Sequence, residues 1–149
     1  MITAVIDTSV VVALADANDK WHAHAIELRD ALLSNGIQQI YVDCVINEAI
    51  SVIGRRAEEQ KRSEQFDRLL DGLLTLIPQE AITWVSNAGK RLFPEILALC
   101  REHQGKLNYH DALIALACRE LGVGAIISFD TDFDAIVWLE RVSDPANVM

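Results

Sequence analysis

The chain has 149 residues, is 51% hydrophobic, and carries 13 basic against 22 acidic residues for a net charge of -9. That length and apolar content give a single domain over residues 1–149, and no apolar run approaches a bilayer span. Broad electrostatic binding of nucleic acid is excluded by the acidic excess, so any such contact must be local or cation-assisted.

Met1-Ile2-Thr3 lacks the basic start of a secretory signal, so a soluble, cytoplasmic protein with no membrane contact is expected. Cys44, Cys100 and Cys118 are widely spaced in apolar segments and suit buried thiols better than disulfides or zinc. In chain order, Met1 to Ile6 reads as a strand, Asp7-Thr8-Ser9 as a turn, and Val10 to Ala15 as a helix packed on a sheet. Trp21, Ala25, Leu28 and Leu32, widened by Ile26 and Leu33, mark a second helix that stops at Gly36. Ile37 to Val42 is a second strand, and Asp43 caps a helix whose apolar face is Val45, Ile46, Ala49, Ile50 and Ile53, with Glu48 off that face. The charged stretch Arg55 to Glu64 reads as solvated helix with Glu58–Arg62 and Glu64–Arg68 pairs. Phe66, Leu69, Leu70, Leu73, Leu74 and Ile77 form a core-facing stripe ended by Pro78, followed by a brief strand Ile82 to Val85. Lys90 to His103 is a helix bearing Leu92, Phe93, Ile96 and Leu99. Asn108 then caps a helix with Asp111 in its first turn, where the macrodipole favours negative charge. Ala112 to Cys118 is apolar throughout, so this helix must be covered on most sides. Gly122 and Gly124 bracket a turn, Ala125-Ile126-Ile127 is a buried strand, Ser128 to Phe133 an acidic loop, and Ala135 to Leu139 a last edge strand.

This alternation implies an α/β three-layer sandwich, with a central, mostly parallel sheet and helices on both faces. Helices then run antiparallel to strands, so helix N-termini share the sheet edge where strands end and ligands bind. Asp7 and Asp130 follow strands, while Glu48 and Asp111 lie near helix starts, so all four carboxylates are expected on one edge. Taken singly, each also fits a cap, a turn or a helix surface, and it is their convergence that carries chemistry. Crowded carboxylates repel unless a cation neutralises them. All-oxygen ligation without His or Cys points to Mg²⁺ or Mn²⁺, ions that activate water for in-line attack on a phosphodiester. Arg55, Arg56, Lys90, Arg91 and Lys106 are local cations for a polyanion. Ser9 and Ser128 are candidates to hold a carboxylate or a water, whereas His22 and His24 read as surface or packing residues.

The order of these segments resembles the PIN-domain ribonucleases, especially the VapC-type toxins of toxin–antitoxin pairs. An apolar strand ending in Asp7-Thr8-Ser9, Glu48 opening a helix, His110 to Ala115, and Ser128 to Phe133 carry the match over about residues 2 to 135. The resemblance implies a PIN-like fold and metal-dependent cleavage of RNA. In that scheme Asp7, Glu48, Asp111 and Asp130 are the catalytic, metal-binding acids, with Ser9 assisting and Asp132 accessory. It also implies a homodimer and a small antitoxin partner. Ser128 stands where the family more often has threonine, which keeps the hydroxyl. A housekeeping PIN nuclease and a catalytically silent PIN interaction module remain open, as does phosphate chemistry on a small molecule through a strand-end aspartate. The last is disfavoured by Ser9, since those phosphatases usually place a second aspartate there.

Overall fold

Parallel neighbours cannot be joined by tight hairpins, so connections between them must cross over the sheet. The computed structural model describes residues 1–149 and shows this arrangement throughout. Strands β1 (Thr3–Ile6), β2 (Gln38–Val42), β3 (Ile82–Thr83), β4 (Ala125–Ile127) and β5 (Glu140–Val142) form one sheet in the order β3-β2-β1-β4-β5. Every neighbouring pair is parallel, with Val5 opposite Ile40 on one side and Ile126 on the other. Helices α1 (Thr8–Ala15), α2 (His22–Ser34), α3 (Asp43–Glu59), α4 (Phe66–Leu76), α5 (Gly89–Glu102) and α6 (Tyr109–Glu120) flank it. Helix α1 packs on α2, α3 and α4, and α5 packs on α6. The expected α/β sandwich is therefore present, and its sheet is wholly parallel. No helix is long and apolar enough to cross a membrane.

Strand order reverses at β1, whose neighbours are β2 on one side and β4 on the other. Such a switch point opens a crevice beyond the strand ends. The central strands are apolar because both faces are covered: Ala4 to Ile6 and Ala125 to Ile127 are buried. Helix α6 is the other central element, with no residue from Ala112 to Cys118 more than 5% exposed. Gly122, at φ +69°, turns the chain out of α6, and the Val123 N–H donates to the Cys118 carbonyl before β4 begins.

Several boundaries differ from the sequence reading. The last strand is Glu140–Val142, not Ala135 to Leu139; Thr131–Ala135 is a 3₁₀ segment, and Ile136 and Leu139 are buried without joining the sheet. Strand β3 ends at Thr83 because Asp43 intercepts the chain: its carboxylate accepts the Val85 and Ser86 N–H groups at 2.6 and 3.1 Å. Asp43 thus lies inside the first turn of α3 and ties down a distant loop instead of capping its own helix. The charged segment is not one solvated helix either. The chain breaks at Lys61, with φ +55°, and Arg62 pairs with Asp16 at 3.1 Å while Arg56 pairs with Asp19 at 2.5 Å. These cations bind the α1–α2 loop rather than their helical neighbours. Leu74, read as part of a core-facing stripe, is exposed, as are Leu33 and Phe93 of the other helical apolar sets.

Candidate metal centre

The register of β1 against β4 builds the floor of the site. Ile6 lies opposite Ile127, so the next residues, Asp7 and Ser128, emerge side by side, and the Asp7 N–H donates to the Ile127 carbonyl at 3.0 Å. The Ser128 hydroxyl donates to Asp7 Oδ2 at 2.6 Å and accepts the Asp130 N–H at 2.9 Å. Ser9, in the first turn of α1, donates to the same Oδ2 at 2.9 Å and accepts the Phe129 N–H at 3.1 Å. Two serines therefore stitch the end of β1 to the loop after β4. Asp7 is 4% exposed and Ser128 fully buried.

The walls are helical. Asn108 caps α6 through its Oδ1, which accepts the Asp111 N–H at 2.9 Å and fixes Asp111 in the first turn. Glu48 comes from α3 and accepts a hydrogen bond from Thr8 Oγ1 at 3.0 Å. Its Oε2 also lies 3.9 Å from His110 Nδ1, a buried nitrogen with no hydrogen-bond partner. Asp130 accepts the Asp132 N–H at 2.9 Å, which starts the following 3₁₀ segment. Asp7, Glu48, Asp111 and Asp130 line one cleft of about 200 Å³ with Ser9 and Arg55. Within this group, carboxylate oxygens of Asp111, Asp130 and Asp132 lie within 4.8 Å of one another. The tightest cluster thus recruits Asp132, while Asp7 and Glu48 face the same space from beside it.

Electrostatics follow from this crowding. Burial pushes the Asp7 carboxyl up from its ordinary value, opposed by its bonds to Ser128, Ser9 and the Thr8 backbone. Burial, then the neighbouring Asp7, Asp130 and Glu48, push Asp111 up to about 7. The side chains of this cleft able to ligate a metal offer only oxygen, and a hard divalent cation is the species that such a set accommodates. The Cys44 and Cys118 thiols, pushed up to about 12 by burial, are inert packing groups. His22 and His24 bond the Ala13 and Ser143 carbonyls at 2.7 and 2.8 Å, so they are packing residues as expected.

Of the cations proposed as local partners for a polyanion, only Arg55 and Arg56 border the acidic cleft. Arg91 is engaged by Glu120 at 2.5 Å, and Lys106 lies 3.7 Å from Asp132. Sequence reasoning did not single out Thr8, whose bond to Glu48 depends on how α1 packs against α3. Asp-Thr-Ser at a strand end was the available signal, but it singled out only Asp7 and Ser9.

The model of the PIN domain family matches residues 4–139. The chain belongs to the PIN domain family. That match spans the acidic cleft, from Asp7 to Asp132. Solved structures that share this fold include VapC20 and VapBC2. VapC20 of Mycobacterium tuberculosis, described as a sarcin-ricin loop cleaving toxin, is 19% identical over 92% of this chain and 97% of its own, with a TM-score of 0.69. VapBC2 of Rickettsia felis, solved bound to a DNA fragment from its promoter, is 16% identical over 94% of this chain and 97% of its own, with a TM-score of 0.64. No curated protein matches the chain by sequence.

Proposed function

We propose that this PIN-family chain is a metal-dependent endoribonuclease, the toxin half of a toxin–antitoxin pair. The observation that carries the nuclease reading is the convergence of Asp7, Glu48, Asp111 and Asp130 on one cleft at the strand-order switch. Asp7, Glu48, Asp111 and Asp130, with Asp132 beside them, would hold Mg²⁺ or Mn²⁺. When bound there, such an ion supplies an activated water and charge stabilisation for in-line displacement at phosphorus. The chain's own residues prepare the site. Ser9 and Ser128 both occupy Oδ2 of Asp7 and so orient the carboxylate with Oδ1 directed elsewhere. Thr8 holds Glu48, and Asn108 holds the turn that presents Asp111. Arg55, at the cleft wall, meets phosphate oxygens of an incoming strand.

The test is cleavage of total RNA by the purified protein with Mn²⁺ or with EDTA. Metal-dependent cleavage, lost in Asp7→Asn and Asp111→Asn, supports the reading, whereas equal cleavage in EDTA overturns it. The toxin role rests on the resemblance and on the VapC20 and VapBC2 folds. It predicts growth arrest on expression, relieved by a small protein encoded beside it. Dimerisation is part of the same proposal, measured by the solution mass.

A further inference from the structure

A second cleft, of about 470 Å³, adjoins the acidic one and shares Ser9, Arg56 and Asp130 with it. Its wall is Trp21, which the sequence places in the apolar stripe of the second helix but which precedes α2 and is 43% exposed. The indole stacks on Phe129, with ring centroids 5.1 Å apart and planes 20° apart. Phe129 sits between Ser128 and Asp130, so the same loop that carries the acid also braces the indole. Lys20 Nζ lies over the indole, 5.6 Å from its centroid, and makes no ion pair, while His24 packs tilted against the same ring with centroids 5.9 Å apart. Of the three acids lining this cleft, Asp16 and Asp19 are neutralised by Arg62 and Arg56, and Asp130 is the one it shares with the acidic cleft. A rigid, half-open aromatic with an unpaired cation, joined to the acidic cleft, has the composition of a single-strand nucleic-acid platform.

Resting on the nuclease reading above, we infer that this cleft is a nucleotide subsite: one base next to the scissile phosphate stacks on Trp21, with Lys20 at its phosphate. Stacking is realised equally before and during reaction, so its loss raises KM and spares kcat.

Two readouts decide this. Trp21→Ala should raise KM for RNA by about tenfold or more with kcat near that of the wild type, and Trp21→Phe should restore most of it. Separately, tryptophan fluorescence is followed in the Asp111→Asn chain, with and without Trp21→Phe, on titration with a short single-stranded RNA in Mg²⁺. The expected result is quenching that requires Trp21 and disappears when one particular nucleotide is made abasic. Unchanged KM in a folded Trp21→Ala chain, or quenching indifferent to Trp21, overturns the subsite and leaves this face to a protein partner. If the wild type cleaves no RNA yet quenching depends on Trp21 and on one base, the nuclease reading fails and the subsite stands.

Discussion

Ser128 shows how much of this site depends on one hydroxyl. It is buried, donates to Asp7 and accepts from the Asp130 backbone, so it couples acids that lie on neighbouring strand ends. Removing such an outer partner commonly costs about 10- to 100-fold in metal affinity. Ser128→Ala should therefore weaken Mn²⁺ binding by that factor in calorimetry, and Ser128→Thr should retain it. Asp111 makes a different prediction. Its carboxyl keeps its proton up to about pH 7 in the folded chain, against an ordinary value of 3.8, because burial and three other acids oppose its charge. Between those limits the folded state binds more protons than the unfolded state, so its contribution to stability is full below the lower value and is lost as pH rises. Asp7, also raised, acts in the same direction. The melting temperature of metal-free protein should fall between pH 5 and 8, Asp111→Asn should flatten that slope, and Mn²⁺ should stabilise more at pH 8. A metal-free melting temperature that rises over this range contradicts the electrostatic account. At this scale the sequence made the acids visible through residue type and position. It could not show that Ser128 is buried or that Thr8 reaches Glu48, because both facts depend on which segments the fold brings together.

Among the elements, α6 and β4 form one device. The buried run Ala112 to Cys118 carries the chain away from Asp111, Gly122 turns it, and Ala125 to Ile127 returns it to Ser128 and Asp130. The apolar spacer sets the separation of the acids, so its cap matters to the site as well as to stability. Asn108→Ala should cost about 1 kcal/mol of folding free energy in urea denaturation, and Asn108→Asp or Asn108→Ser should recover most of it. Periodicity and punctuation made this pair legible, since a wholly apolar helix has only one environment that satisfies it. The misses have physical causes too. Asp43 carries cap chemistry, yet its carboxylate accepts the Val85 and Ser86 N–H groups 42 and 43 residues away. Asp43→Ala should leave the buried Val85 donor unsatisfied and cost about 1–3 kcal/mol in the same measurement. Glu58 and Arg62 have the spacing of a helical pair, but the chain leaves helical geometry at Lys61, so Arg62 turns to Asp16 instead. The last strand was misplaced because Ile136 and Leu139 are buried in the irregular stretch between the 3₁₀ segment Thr131–Ala135 and the strand Glu140–Val142, so their apolar character does not mark a strand.

For the molecule as a whole, the proposed function requires a PIN chain with a net charge of -9 to meet a polyanion through a small part of its surface. The strand-order reversal at β1 provides that part, placing acids from β1, β4, α3 and α6 at one edge where cations can offset them. On the proposed reading water is the nucleophile and the RNA 2′-hydroxyl is bypassed, so the chemistry of the product ends tests that mechanism directly. The deciding measurement is therefore the end structure of fragments that the wild-type protein releases from RNA in Mn²⁺, with Asp7→Asn alongside. The account predicts a free hydroxyl on one side of each cut and a phosphate monoester on the other, with no cuts from Asp7→Asn. Fragments ending in 2′,3′-cyclic phosphate, or cleavage undiminished in the variant, would contradict it.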